Sequence, residues 1–284
     1  MDDETKTLPA MHSGLAPDSI VRRELSDWRV LLGGGRALLL QLAHPAVAAG
    51  VAQHSTFTFD PWKRLLRTLD LYIGGIIFGS TDEAVTAGMR LRAMHARIKG
   101  IDSAGRCYHA LDPSAFHWVH ATLIDGLVTL AERFGNPLKK EALARAYGEM
   151  REVGRLCGLR EQDMPPDWPS FRNYFDETCD LLEDNPVVHQ LMATIACAPR
   201  PPGVPLPDLL WRTVVWPPLG HLVTLCAVGL LPATVRQRLR LPWNCAQELE
   251  LNAYAALIRR AFPFIPARIR MHSWAYTAYG RAPA

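Results

Sequence analysis

The stretch LDPSAFHWVHATLIDGLVTLAERFGN, residues 111–136, decides the fold of this protein. Asp112 occupies the position of a helix N-cap, and Pro113 follows at the first helical position, where its missing N–H has no helical partner anyway. An apolar run continues from there to Gly135, a residue type that commonly ends helices. The stretch therefore predicts one long helix with a defined start and end.

Similar start and stop signals recur upstream of this helix. Asp60 begins a helix over FDPWKRLLRTLDLYI, and Ser80 or Thr81 begins another that is expected to end at Gly100. Pro45 is expected to end or kink the helix before it. Sustained alternation with period two and a hairpin turn pair are both missing. The fold class is therefore all-α, with a single multi-helix domain.

The domain organisation follows from where helix-breaking residues cluster. We expect residues 1–17 to form a flexible N-terminal tail and residues 18–284 to form one helical domain. The longest breaker-rich run, CAPRPPGVPLPD at residues 197–208, is the natural place for a domain boundary. The segments after it are again apolar and helical, and each needs a partner surface, so we expect one domain rather than two.

Composition excludes nucleic acid as a partner. With 284 residues and 49% hydrophobic content, the chain is long enough to bury a sizeable core. A net charge of +3 is only mildly basic, and no basic run is interleaved with aromatic residues as a nucleic-acid groove requires.

A cytoplasmic location is expected. The cysteines are scattered without a CxxC pair, which is typical of free thiols in a reducing compartment. The first residues are acidic and polar, unlike a secretion signal. Residues 214–232 approach membrane length, but their prolines leave an apolar run shorter than the roughly 20 residues that span a bilayer. We therefore expect a buried core helix there and no membrane span.

A histidine on an apolar helix face is the main candidate for chemistry. In the helix expected to end at Gly100, one face carries four residues, Leu91, Met94, His95 and Ile98. Cations flank this face: Arg90, Arg92, Arg97 and Lys99. A neutral imidazole in a dry slot with cations at its rim fits haem, in which one imidazole binds iron and arginines pair with the propionates. The alternative is a core histidine satisfied by a backbone carbonyl.

These residues define the candidate cofactor site. His95 is the candidate metal ligand, and the candidates for contacts to the cofactor are Leu91, Arg92, Met94, Ile98 and Arg67.

The preceding helix carries a second polar face. Arg64, Arg67 and Thr68 occupy positions i, i+3 and i+4, so two guanidiniums and a hydroxyl share one face. His44 in AHP and His54 in QHSTF are further catalytic candidates. Each feature alone is weak evidence for a catalytic site, because arginines on a helix usually form a solvated face.

Other catalytic and metal signatures are missing. His117 and His120 lie three positions apart, but no carboxylate accompanies them at ligand spacing. The chain has no GxSxG, no P-loop and no HExxH, and LGGGRALL lacks both the GxGxxG spacing and a preceding strand. Hydrolase, kinase and dinucleotide-binding functions therefore have no support.

The order of several motifs resembles a known family. The motifs are GGGRALLLQLAHPAVAAGVAQHSTFTFDPWKRLLRT, MHARIKG, YHALDPSAFHWVHATL, TVVWPPLGHL and LLPATVRQRLRLPW. They are similar to the oxygenase family that contains the latex-clearing rubber oxygenases and the fungal oxygenase of mycophenolic acid biosynthesis. The similarity covers roughly residues 20 to 270 and is most specific in the first half.

This resemblance implies an all-helical fold with a globin-like core, one haem b, and ferrous iron that activates O2. It implies His95 as the proximal iron ligand and Arg64, Arg67 and Thr68 as the distal residues. The rubber oxygenases have a lysine where this chain has Arg67, and a guanidinium cannot lose a proton to become a ligand. The distal side is therefore expected to be open or to hold water.

The catalytic glutamate of the family has no clear counterpart here. Asp60 is the only acid in the stretch before Arg64, and His44 and His54 are the nearest polar candidates.

The expected function is a haem-dependent oxygenase that uses O2 to oxidise a small apolar, unsaturated substrate, with an electron donor as a further possible partner. Two alternatives stay open at this point. One is a haem-binding sensor or carrier without turnover, and the other is a haem-free helical protein that holds an apolar ligand.

Overall fold

A computed structural model describes residues 14–57 and 59–281 of this protein. In chain order its α-helices are α1 (Ile20–Glu24), α2 (Val30–Leu42), α3 (Pro45–His54), α4 (Pro61–Thr68), α5 (Thr81–His95), α6 (Pro113–Phe134), α7 (Lys140–Leu156), α8 (Trp168–Cys179), α9 (Pro186–Ala196), α10 (Asp208–Leu210), α11 (Trp216–Gly229), α12 (Ala233–Arg238), α13 (Cys245–Ala261), α14 (Ala267–Arg270) and α15 (Ser273–Arg281). Segments wound as π-helix are Leu69–Ile77 and Trp211–Val215, and segments wound as 3-10 helix are Glu161–Asp163 and Phe262–Phe264. Strands β1 (Lys99–Ile101) and β2 (Cys107–His109) pair antiparallel.

The predicted all-α fold class is confirmed, since this short hairpin is the whole of the sheet structure in the described residues. Helix α6 is buried along most of its length, including Trp118, Ile124 and Leu127. Helix α2 packs against both α6 and α11. The indole N–H of Trp118 donates to the carbonyl of Leu40 in α2 at 2.9 Å, which ties the two helices together.

The predicted caps at Asp60 and Ser80 are confirmed, and the predicted side-chain cap at Asp112 is wrong. The Asp60 carboxylate accepts from the backbone N–H of Lys63 at 3.1 Å and caps α4. Ser80 and Glu83 form a reciprocal capping box at the start of α5. Helix α6 begins at Pro113, although the Asp112 side chain does not cap it.

Helix α5 ends earlier than the sequence predicts. It stops at His95, and Ile98 lies beyond it, so the expectation that Ile98 shares a helix face with His95 is wrong. Extended backbone from Lys99 pairs with β2 instead, and this pairing satisfies backbone groups that a longer helix would have used. A Cβ at Gly100 would lie 2.7 Å from Gln53 Oε1, so this glycine allows a close approach of α3.

The segments on both sides of the breaker-rich run 197–208 join one core. Helix α9 precedes the run and α11 follows it, and both pack against α2. Residues 1–13 of the expected tail lie outside the described residues. Residues 14–17 are described, and there Leu15 is buried and Gly14 donates its N–H to Thr81 Oγ1 at 3.3 Å.

The helix break at Pro45 is confirmed, because α2 ends at Leu42 and α3 begins at Pro45. Across the described residues, no single helix has both the length and the apolarity to cross a membrane. Helices α2 and α3 have the necessary length and apolarity only when taken together, and the two helices are bent by 104° relative to each other.

Candidate functional site

Helix α4 presents Arg64 and Thr68 together, as their spacing predicts. Arg64 Nη1 donates to Thr68 Oγ1 at 3.2 Å, and the Thr68 hydroxyl donates to the Arg64 carbonyl at 3.0 Å. Arg67 lies on the same helix and is exposed. Burial lowers the pKa of Arg64, and the like charge of Arg67 lowers it further. The two guanidiniums therefore sit near each other at this end of α4.

His95 is held by its own helix. Its Nδ1 lies 2.8 Å from the carbonyl oxygen of Leu91, so this nitrogen donates its proton and Nε2 keeps the lone pair. Burial lowers the pKa of His95 against the opposing effect of that hydrogen bond, and the positive charge of Arg64 lowers it further. The imidazole is therefore neutral at neutral pH, with one nitrogen oriented and the other available as a ligand.

Arg64 of α4 and His95 of α5 interact through charge. The charge of Arg64 acts on the His95 ring although the two residues belong to different helices. Both side chains keep accessible surface, and burial lowers the pKa of each. The phenyl ring of Phe116 contacts the His95 ring edge-on, with centroids 5.6 Å apart, and forms an apolar wall.

The remaining residues of the predicted cofactor face have different surroundings. Leu91 is partly buried against the main core, and Met94 is exposed. Arg92 donates to the carbonyl of Gly158 at 3.2 Å, at the turn that follows α7. Ile98 lies against α3, where an added Cβ at Gly50 would meet its Cγ2 at 3.3 Å. Their roles as cofactor contacts stay predictions.

His44 and His54 interact with other residues in the described structure. His54 is exposed, with Nε2 3.3 Å from the carbonyl oxygen of Lys99. Burial lowers the pKa of His44, against the effect of Glu183, and the charge of Arg106 lowers it further. Described contacts join neither histidine to Arg64, Thr68 or His95, so their catalytic role also stays a prediction.

Two other histidines are buried in α6. Burial lowers the pKa of both His117 and His120 to about 4. His120 Nε2 lies 2.8 Å from the carbonyl oxygen of Met150, and His117 stacks on Tyr174 with centroids 4.4 Å apart. These contacts make them packing residues.

A metal held by several protein side chains has no support in the described ranges. There, no group of three or more His, Cys, Asp or Glu side chains is arranged to hold a metal ion. An iron atom that takes a single protein ligand and is otherwise held by a porphyrin does not need such a group. An imidazole with a free Nε2 would suit the single protein ligand of a haem iron, and the exposed guanidinium of Arg67 would suit a propionate.

Two cavities within the described residues lie away from His95 and Arg64. One of about 610 Å³ lies between the π-helix Leu69–Ile77, α5 and α15, and it is lined by Asp70, Arg90 and Trp274 among others. Another of about 290 Å³ surrounds the buried Arg36 and Asp125. His95 and Arg64 line neither of them.

Sequence reasoning missed Phe116 as a neighbour of His95. Phe116 lies within the long apolar stretch of α6, where its contact to another helix has no local signal. The π-helix that directly continues α4 was also missed, and its only hint is the glycine pair Gly74 and Gly75 in an apolar run.

Comparisons with known proteins place this chain in a family. The family model described as the ER-bound oxygenase mpaB/B'/Rubber oxygenase catalytic domain matches residues 22–260. Uncharacterized proteins of Mycobacterium bovis and Mycobacterium tuberculosis are each 26% identical over 238 residues, which cover 81% of this chain and 88% of each relative. No solved structure matches this chain, so the expected globin-like core stays a prediction.

Proposed function

The chain belongs to the mpaB/rubber oxygenase catalytic-domain family, and from this premise we propose that it is a haem b-dependent oxygenase. It uses O2 to oxidise a small apolar, unsaturated substrate. The family supports oxygenase chemistry, and the cofactor and substrate class are the parts that we propose.

One observation carries the proposal. His95 is a neutral imidazole whose Nδ1–H is held by the Leu91 carbonyl at 2.8 Å and whose Nε2 is left with its lone pair. This is the arrangement that metal-ligating histidines adopt, because the hydrogen bond fixes the tautomer and makes the ligand more basic. A core histidine satisfied by a carbonyl would make the same bond, and the haem-binding experiment below separates the two roles.

In the proposed mechanism, haem b supplies reductive activation of O2. His95 Nε2 would hold the iron, and Phe116 would exclude water from one edge of the imidazole. Arg64 is oriented by its bond to Thr68 and would keep N–H donors free to stabilise negative charge that develops on oxygen. The exposed guanidinium of Arg67 would pair with a propionate or orient substrate.

The resemblance to rubber oxygenases implies a catalytic glutamate for alkene cleavage. Asp60, the acid nearest before Arg64, is occupied as the N-cap of α4. We therefore propose a small substrate whose oxidation does not depend on a carboxylate at that position.

Absorption spectroscopy tests the cofactor directly. The purified chain, reconstituted with hemin and reduced under CO, is expected to show a Soret band that is lost in His95→Ala. The matched control is His54→Ala, since His54 is an exposed histidine that contacts Lys99 instead. A colourless protein, or equal spectra in His95→Ala and the parent, would contradict the proposal.

A second arm separates enzyme from sensor. The reduced haem protein is incubated with isotopically labelled O2 and a panel of small alkenes, and products are analysed by mass spectrometry. Label in a product supports the oxygenase. Stable O2 binding without product would favour a sensor or carrier.

We further propose a cytoplasmic, reducing location, which agrees with six cysteines that are all free. In such a compartment a cellular reductant would act as the electron donor.

A further inference from the structure

The C-terminal end of the chain is basic and contains no acid. After Glu250 the sequence has no Asp or Glu, and its arginines are Arg259, Arg260, Arg268, Arg270 and Arg281. Arg259, Arg260 and Arg268 are exposed. Among the described residues, no carboxylate forms an ion pair with any of these three side chains, whereas many other arginines of the chain are paired.

Large apolar side chains project from the same short run. Phe264 is 88% exposed, Leu257 is 61% exposed and Ile269 is 60% exposed. They alternate along the sequence with Arg259, Arg260 and Arg268, from the last turns of α13 through α14. We call this set, Leu257, Arg259, Arg260, Phe264, Arg268 and Ile269, the C-terminal patch.

The patch is attached to the fold at both of its ends. The Arg29 guanidinium stacks over the Phe262 ring at 4.9 Å, next to Phe264. The backbone N–H of Trp28 donates to the Arg270 carbonyl at 3.2 Å. The backbones of Asp27 and Met271 form an isolated antiparallel β-bridge. The apolar side chains are therefore held out toward solvent by a supported backbone, and Trp28, whose backbone donates to Arg270, is itself 44% exposed.

We propose that the C-terminal patch docks this protein on an anionic membrane surface. Exposed apolar side chains interleaved with arginines match the layered chemistry of a bilayer interface, where acyl chains lie just below negatively charged headgroups. A tryptophan at the edge is typical of that interface. Charge complementarity favours this occupant, because the patch carries three arginines without an ion-pair partner in the described residues and no acid.

This inference is independent of the proposed oxygenase activity. The patch from residue 261 onward lies beyond the residues that the family model matches, 22–260. It requires no helix that crosses the bilayer. For an oxygenase of apolar substrates, docking would place the protein where such substrates dissolve.

Vesicle co-sedimentation tests the proposal. The full chain is mixed at low salt with vesicles of phosphatidylcholine alone or of phosphatidylcholine and phosphatidylserine in a two-to-one ratio. We expect binding to the anionic vesicles, weakening at high salt because ions screen the arginines. Arg259→Glu/Arg260→Glu is expected to lower the partition coefficient by about 30-fold or more, since each basic residue near an anionic surface contributes about fivefold. Phe264→Ala is expected to lower it by about tenfold.

Two matched controls keep the test specific. Lys139→Glu/Lys140→Glu makes the same change in net charge at two exposed, adjacent cations on another surface. Phe59→Ala removes a phenyl ring that is equally exposed, at 88%. Both controls are expected to bind vesicles nearly as the parent does.

Three results would overturn the proposal. The first is no binding of the parent to anionic vesicles. The second is an equal loss in the control variants. The third is a dimer in analytical ultracentrifugation that dissociates in Phe264→Ala, which would show that a second copy covers the patch. Circular dichroism of each variant establishes that it is folded.

Discussion

Replacing Gly88 with alanine tests the helix contact that positions α5. Gly88 is buried, and a Cβ added there would lie 2.0 Å from the carbonyl oxygen of Leu156 at the end of α7. Ordinary contacts between carbon and oxygen atoms begin at about 3.3 Å, so α5 and α7 would have to separate by more than about 1 Å. Because the obstructing atom belongs to the backbone, no side-chain rotation relieves the contact.

The magnitude follows from two opposing effects. Overpacking of a helix contact costs about 1–3 kcal/mol, and this contact belongs at the upper end. Alanine regains up to about 1 kcal/mol through its higher helix propensity. We expect the free energy of unfolding to fall by about 2 kcal/mol in Gly88→Ala. Gly148→Ala is the matched control, because nothing lies within 4 Å of an added Cβ there, and it should gain about 0.5–1 kcal/mol.

Urea unfolding followed by far-UV circular dichroism measures both changes. The midpoint should fall for Gly88→Ala and rise for Gly148→Ala, with the same slope as the parent. Gly88→Ala as stable as the parent, beside a stabilised Gly148→Ala, would refute the close approach of α5 and α7. Since Gly88 and His95 share a helix face, we also expect Gly88→Ala to retain hemin less well.

Two further predictions concern stability. Burial lowers the pKa of His120 from an ordinary 6.5 to about 4. Below about pH 6.5 the unfolded chain therefore takes up a proton before the folded protein does. This lowers the free energy of unfolding by about 2 kcal/mol at pH 5 and has no effect well above about pH 6.5. Urea midpoints between pH 7 and 5 should therefore fall less steeply in His120→Gln, and an unchanged slope would contradict the assignment. Asp125 accepts hydrogen bonds from the buried guanidinium of Arg36 and from Arg172, and Asp125→Asn should lower the unfolding free energy by about 3–5 kcal/mol because Arg36 is left as an unpaired buried charge. Asp176 is an exposed ion-pair partner of Arg172, and Asp176→Asn should lower the unfolding free energy by at most about 1 kcal/mol. Similar losses of unfolding free energy in Asp125→Asn and Asp176→Asn would contradict the buried pairing.

Part of the candidate site was predictable because its geometry is local. Arg64 and Thr68 are one helical turn apart, so their spacing alone places them side by side. The contact from His95 to Leu91 also lies within one turn. The approach of Arg64 and Phe116 to His95 joins three helices, and no local pattern carries that information.

The sequence by itself determined where helices begin and that the fold is all-α. Caps and prolines act within a few residues, so Asp60, Ser80 and Pro113 mark their helices in any tertiary context. Tertiary structure alone decided that α5 stops at His95, because the pairing of Lys99–Ile101 with β2 competes with further helix. It also decided which side chains meet across helices, since packing of α5 and α6 places the Phe116 ring against the His95 ring.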